Sequence, residues 1–309
     1  MAAQFADEPV RSAAFAFLAD QARIRDQPWP PVLPRSLLQA GFEFGGQRVP
    51  LVGPQGIFKP AALPGTIPLS ITTAPPVLHH DAPYDDEFGY GHLVYRYRGI
   101  DPSHHENVGL RSAIKTQTPL IYFHGIVPGS YLATWPVYIV GDRPEQLAFT
   151  VAFEPGAVER LPEAQLMEED ARRAYAERLV LQRLHQAGFR ERVLTAYRRC
   201  CALCRLRHAP LLDAAHIIAD GRPRGEPVVS NGLALCKLHH AAFDANIIGI
   251  RPDRVVEVRQ EVLSETDGPM LVHGLQEVHG SRIWTPRSPE LQPTAARLEE
   301  RYEEFQKAG

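Results

Sequence analysis

Cysteine, long apolar runs and an excess of either charge are all scarce in this chain. Its four cysteines all fall between positions 200 and 236 of 309 residues, too few and too local for a disulfide framework. No stretch approaches the roughly 20 apolar residues of a membrane helix, so no membrane association is expected. The N-terminus, MAAQFADEPVRSAAFAFLAD, carries acids where a signal peptide carries basic residues. Lys and Arg number 33 against 36 Asp and Glu, and the net charge of −3 argues against a protein that coats nucleic acid indiscriminately. There is no internal repeat and no low-complexity tail. These absences point to a cytoplasmic protein in a reducing compartment, long enough for two domains, whose cysteines serve zinc rather than disulfides.

The cysteines sit in CCALCRLRHAPLLDAAHIIADGRPRGEPVVSNGLALCKLHHAAFD, residues 200–244. Two half-sites stand out there, Cys201-x2-Cys204 and Cys236-x2-His239. Zinc takes four soft or borderline ligands in a tetrahedron, and two short x2 turns supply them as close pairs. Cys201, Cys204, Cys236 and His239 are therefore expected to hold a structural Zn2+, with Cys200 a buried bystander. Four protein ligands leave no open position for substrate, so this zinc holds the fold. Charge is uneven around it: residues 191–250 hold eight Lys/Arg against five Asp/Glu, a local +3. Local basicity within a near-neutral chain suits recognition of DNA more than bulk attraction to it.

Three residues remain once the zinc ligands are assigned: His216 after LLDAA, Asn231 in SNGLALC, and His240 directly after His239. That order, with the words DAAHI, NGLALC and HHAAFD, resembles the HNH nuclease family. The resemblance implies a ββα-metal fold, two antiparallel strands and a helix around one catalytic divalent cation. His216 would end the first strand, Asn231 would lie in the loop or second strand, and His240 on the helix. Hydrolysis of a phosphodiester needs a base whose neutral form is present near working pH, which gives His216 that role. A Lewis acid such as Mg2+, or Mn2+, would stabilise the departing oxygen, with His240 as its ligand. Asn231 would hold the loop and orient the His216 ring. The commonest form of the family has an aspartate before the base; here Ala215 stands there. The second cation ligand is then Asp213, two residues back on the strand, or Asp244, one helical turn beyond His240.

Elsewhere, Val10, Ala14, Phe17 and Leu18 predict a helix over about residues 8–25, ending before the prolines of QPWPPVLP. Dense Gly and Pro punctuation over 42–80 predicts short strands in FEFGGQRVPLV, GIFKP and LSITT. Strand signals recur in HLVYRYRG, PLIYFHGI and VYIV, with a helix in ENVGLRSAIKT. The pattern of YDDEFG, a strand ending Tyr-Arg-Gly, that helix and a further strand resembles SRA and wider PUA-like modules. Such modules read a modified base flipped from the duplex, through stacking on aromatic faces and hydrogen bonds to the base edge. Tyr84, Asp85, Asp86, Phe88, Tyr122, Tyr131 and Trp135 are the candidate pocket residues, although aromatics in a β domain ordinarily fill its core. Arg96, Arg98, Arg111 and Lys115 could meet phosphates.

Residues 158–187 are rich in helix formers, with Met167, Ala171, Ala174, Tyr175 and Leu179 forming one apolar stripe and Gly188 a stop. FRERVLTAYRRC is expected as a short helix delivering the first cysteines. Beyond Asp244, NIIGI and VVEVRQEVL read as strands, MLVHGLQEVHGSRIW as a hairpin and PELQPTAARLEERYEEFQKAG as a final helix. The expected architecture is α+β: an SRA/PUA-like barrel over 1–157, a connecting helix over 158–190, and an HNH domain with structural zinc over 191–309. Together the two resemblances imply a modification-dependent restriction endonuclease acting on double-stranded DNA bearing 5-methylcytosine or a related base. One site per chain makes a homodimer the expected assembly. Two rivals stand beside this reading. One is an HNH nuclease that reads plain sequence or a backbone modification; the other is a zinc-bearing DNA-binding protein without catalysis, supported by Ala215.

Overall fold

A computed structural model of the chain describes residues 4–25, 29–75, 87–89, 92–153, 169–266 and 268–308. The chain divides into two compact units, Met1–Ala187 and Gly188–Gly309. Among the described residues no helix is long and apolar enough to cross a membrane.

The first unit begins with α1 (Gln4–Ile24), longer at its start than the periodicity suggested. Its buried Val10, Ala14 and Leu18 recur at four-residue steps, one face of a helix. There follow β1 (Val32–Pro34), α2 (Arg35–Ala40), β2 (Phe42–Phe44), β3 (Gln47–Val49), β4 (Ile57–Phe58), β5 (Ser70–Thr73), β6 (Glu87–Gly89) and β7 (His92–Arg96). After them come α3 (His105–Thr116), β8 (Leu120–Val127), β9 (Ser130–Arg143) and β10 (Ala148–Phe153). The principal sheet has eight strands in the order β4-β5-β8-β9-β10-β7-β6, with β1 also pairing to β9. Among the described residues its path does not close, since β4 and β6 lie at opposite ends.

β8 explains how one sheet serves two cores. Leu120, Tyr122 and Ile126 enter a cluster with Leu110 and Ala113 of α3. Ile121 and Phe123 point the other way, into a cluster with Val10, Ala14 and Leu18 of α1. A strand covered on both faces reads as a continuous apolar run, which is why PLIYFHGI carried so strong a signal.

A single helix, α4 (Glu169–Ala196), spans the division between the units. Gly188 does not stop it. Leu184 before the glycine and Phe189 and Val193 after it are buried in the cores, and their packing outweighs the roughly 1 kcal/mol that a glycine costs inside a helix. FRERVLTA is thus the last two turns of α4 rather than a separate helix. The expected start of the connecting helix, with Met167, lies outside the described residues.

The second unit is built on β11 (Leu212–His216) and β12 (Gly232–Cys236), antiparallel in the register Leu212↔Cys236 to His216↔Gly232. Cys236 caps α5 (Lys237–Asp244), so two strands lead directly into a helix, as the resemblance implied. Next come β13 (Ile248–Ile250), β14 (Val256–Val258), α6 (Gln260–Ser264), α7 (Pro269–Gly274) and α8 (Ala295–Lys307). Two expectations are corrected here. QEVLS is helical rather than strand, and MLVHG belongs to α7, not to a hairpin. Pro269 occupies the first turn of α7, where its fixed φ is preorganised and its missing N–H costs nothing, while Leu271 and Leu275 pack at a four-residue step against the core.

Candidate functional site

Left-handed residues end α4 and turn the chain into a tight knuckle: Arg198 and Arg199 have φ of 53° and 51°. The Cys201 amide donates to the Leu206 carbonyl at 2.9 Å, and the Ala202 amide donates to Ala234 of β12 at 2.7 Å. This places Cys201 and Cys204 against the β12–α5 junction that carries Cys236 and His239. The four donor atoms all lie within 4.8 Å of one another. Cys204 Sγ and Cys236 Sγ are 3.9 Å apart, and His239 Nδ1 is 3.5 and 3.2 Å from the sulfurs of Cys201 and Cys236. A tetrahedron with arms of about 2.3 Å has edges of about 3.8 Å, so the cluster has the dimensions that zinc requires. Hydrogen bonds from the Cys204 and Cys236 thiols hold the Cys201 thiol far below the ordinary thiol range, favouring a thiolate at the centre. The other ring nitrogen of His239, Nε2, donates to the Gly274 carbonyl at 2.7 Å, which fixes the tautomer that leaves Nδ1 free to ligate. Cys200 is buried, and its thiol donates to the Arg205 carbonyl instead.

His216 closes β11, and its ring lies flat on Phe189 of α4, with centroids 3.9 Å apart and planes at 15°. Gly232, opposite His216 in the ladder, makes this possible: a Cβ there would come within 2.4 Å of Val193 and 3.0 Å of Phe189. Burial holds the His216 imidazole below its ordinary pKa; the Asp220 carboxylate pulls it up and a charge on His240 pushes it down. The ring is therefore neutral at pH 7. Its Nε2 is buried and, among the described residues, has no hydrogen-bond partner.

Asn231 is buried at the end of a 3-10 turn just before β12. It accepts from the Ile218 amide at 3.0 Å and donates to the carbonyls of Ile218 and Glu226 at 2.9 and 3.2 Å. Holding the loop over 218–231 is one of the two tasks expected of it. The other, orienting the His216 ring, is not what its amide does here, since that amide bonds the backbone of Ile218 and Glu226.

His240, on α5, stands between the two candidate acids. Its Nδ1 is 3.8 Å from Asp213 and its Nε2 is 3.3 Å from Asp244. Asp213 also meets Arg190 and Lys237, each at 3.2 Å. These partners, His240 foremost, hold its carboxyl well below the usual carboxylate range. Asp244 has 64% of its side chain exposed. Asp213 first, then Asp244, raise the His240 imidazole above its ordinary value, so a cation binding there would displace a proton. One imidazole and one carboxylate form a sparse donor set suited to a hard divalent ion that keeps several waters and phosphate oxygens.

In the first unit three members of the expected base pocket, Tyr122, Tyr131 and Trp135, pack into the cores. Tyr84, Asp85 and Asp86 lie outside the described residues, and Phe88 is on β6. Tyr122 is fully buried, its hydroxyl shared with Thr73 and His124 at 2.8 and 3.0 Å. Tyr131 is buried and accepts from Arg35, and Trp135 packs against the same core. Neither tyrosine presents a ring face to a base, because both are needed to fill the space beneath the sheet. Of the expected phosphate contacts, Arg111 is paired with Asp142 at 2.6 Å, Arg98 lies 3.8 Å from Glu106 and Arg96 donates to the Gln146 carbonyl, while Lys115 is exposed. A cleft of about 500 Å³ lined by Asp7, Arg11, Phe15 and Thr66 holds none of the predicted pocket residues.

Sequence reasoning passed over Phe189, Arg190, Asp220 and Gly274. Phe189 and Arg190 had a legible signal, since they precede Val193 and Tyr197 on a helix facing the strands; the contacts of Asp220 and Gly274 arise only from folding.

Residues 201–251 match the family model of the HNH endonucleases. Among solved structures, a modification-dependent restriction endonuclease, TagI, aligns over 77% of this chain and 82% of its own, with 15% identity and a TM-score of 0.28. No curated protein sequence matches. Matched segment and geometry agree: the second unit carries an HNH endonuclease domain, the hydrolytic part of a nuclease.

Proposed function

We propose that this protein is a DNA endonuclease in which His216 activates water for attack on a backbone phosphate. The observation that carries the reading is the placement of His216: an imidazole at the end of β11, held flat on Phe189, whose burial keeps it below its ordinary pKa. The imidazole accepts the proton of water as the oxygen attacks phosphorus, the bond from phosphorus to the 3' oxygen breaks, and the ends are a 5'-phosphate and a 3'-hydroxyl. A bound divalent ion supplies Lewis acidity toward the departing oxygen. His240 Nε2 and Asp244 would hold it. Asp213, already neutralised by Arg190 and Lys237, positions His240 through Nδ1, as carboxylates behind metal-binding histidines do. The cysteine cluster would carry zinc, which fits a reducing cytoplasm.

The first unit, with two cores of its own, is proposed as the DNA reader of SRA or PUA-like type, and the altered base as 5-methylcytosine or a relative. Support for it is the succession of YDDEFG, β7, α3 and β8 rather than an assembled pocket. Digestion of methylated, hydroxymethylated and unmodified copies of one DNA with Mg2+ or Mn2+, followed by end sequencing, tests both proposals. Cleavage of the modified copies by wild type, lost in His216→Ala, is expected. Equal cleavage of all three copies would remove the modified-base reading, and activity surviving in His216→Ala would remove the assignment of the base.

A further inference from the structure

Seven of the fifteen arginines of the second unit form ion pairs with carboxylates: Arg190, Arg199, Arg222, Arg224, Arg251, Arg297 and Arg301. The other eight have no acidic partner among the described residues, and of these Arg192 and Arg259 donate to backbone carbonyls. Four of the eight, Arg198, Arg205, Arg254 and Arg282, lie on the knuckle and on the backbone next to Trp284. The guanidiniums of Arg198 and Arg205 lie 5.9 and 5.6 Å from its ring centre. The Trp284 amide donates to Ala202 of the knuckle at 2.8 Å, and its ring meets Tyr197 edge-on at 5.6 Å. The adjoining Ile283 amide donates to the Arg254 carbonyl at 3.0 Å, and Arg282 bridges to Val255.

Three of the four sit in backbone that disfavours any side chain: φ is 53° at Arg198, 66° at Arg205 and 68° at Arg254. Glycine would occupy these turns without strain. Arginine there keeps cations in one place at a cost in stability, and the tryptophan face limits how far two of them roam.

We infer that this cluster is a phosphate-binding surface for the DNA backbone beside the cut. The inference rests on the nuclease reading and adds where the second unit grips its substrate. Ala202 lies alongside Ala234 of β12, which pairs with Ala214 of β11. The knuckle is thus about two strand spacings, roughly 10 Å, from the strand that ends in His216. A duplex strand offers one phosphate per about 3.4 Å of axis, so a strand attacked at His216 passes this surface within a few nucleotides.

Binding of a 30-base-pair duplex by full-length, zinc-loaded His216→Ala protein, followed across salt concentration, tests the surface, alongside cleavage by the variants in an otherwise wild-type chain. Each phosphate contact removed should flatten the plot of log affinity against log salt by about 0.9. The quadruple variant R198Q/R205Q/R254Q/R282Q should lose about 3 to 4 from the slope and tenfold or more in affinity at 0.1 M salt. Arg282→Gln alone, at an exposed side chain with no contact to the knuckle, should lose about 0.9 with zinc content unchanged. A double control, R222Q/R251Q, removes the same charge as R198Q/R205Q from ion-paired arginines and should leave the slope in place. Unchanged slopes in the Arg282 and quadruple variants, or an equal loss in the control, overturn the surface while cleavage by wild type keeps the nuclease reading. Tight binding that depends on the patch, without cleavage by wild type under any divalent cation, keeps the surface and overturns the nuclease reading.

Discussion

A histidine that works as a base must be neutral when water attacks phosphorus, and what covers His216 favours its neutral form. Its folded pKa is depressed below the ordinary value of about 6.5, so the active form persists as pH falls and disappears only below that point. With the cation saturating, the midpoint of the acid limb of kcat/KM should lie below pH 6.5. Phe189→Leu keeps an apolar side chain but lets water reach the imidazole, and the acid limb should move upward. A wild-type limb at or above pH 7, or none of that movement in the variant, would contradict the role given to burial. The two acids beside His240 can be separated the same way. Asp244→Ala should raise the Mg2+ concentration for half-maximal cleavage by at least tenfold; Asp213→Asn, which leaves the exposed carboxylate in place, should raise it less and lower kcat more. A reversed order would make Asp213 the ligand. The ordered set of His216, Asn231 and His240 and their elements were legible before any coordinates. The partner of the Asn231 amide was not, because three backbone groups of a folded loop claim it and none has a sequence signature.

An ion shared by the four donors would tie the knuckle, β12 and α5 into one element. Structural zinc in small peptides contributes about 10 to 16 kcal/mol of apparent binding energy, as large as the whole 5 to 15 kcal/mol by which a typical domain is stable. Cys236→Ser should therefore cost more than an active-site residue. The expected result is loss of stoichiometric zinc, rapid proteolysis within 188–309 and no cleavage, with the first unit still protected. Retention of a cooperative melt for the second unit without zinc would show that its apolar core suffices. This element was legible because two x2 pairs are a local pattern. The length of α4 was less so: a glycine at position 188 reads as a stop when only neighbours along the chain are considered. Tertiary burial of Phe189 and Val193, which no window of sequence contains, decides otherwise. The same reason explains α7, whose apolar spacing suits a strand or a short helix until Pro269 is seen at its first turn.

At the scale of the molecule, an HNH segment of 51 residues, 201–251, sits in a chain of 309, so one chain supplies one hydrolytic site. A duplex has two strands of opposite polarity, and a single site set for one of them faces the other backwards. Cutting both strands thus requires two chains related by a two-fold axis, or two visits. The expectation is a homodimer formed on the substrate, and supercoiled plasmid distinguishes the cases. At low protein concentration nicked circles should accumulate. Linear product should then rise with the square of concentration, while the first-nick rate rises linearly. Mixing wild type with excess His216→Ala should preserve nicking and suppress linearisation, since a mixed pair cuts one strand. Linear product appearing in step with nicked circles at every concentration, untouched by the inactive chain, would mean that one protein molecule reorients between strands.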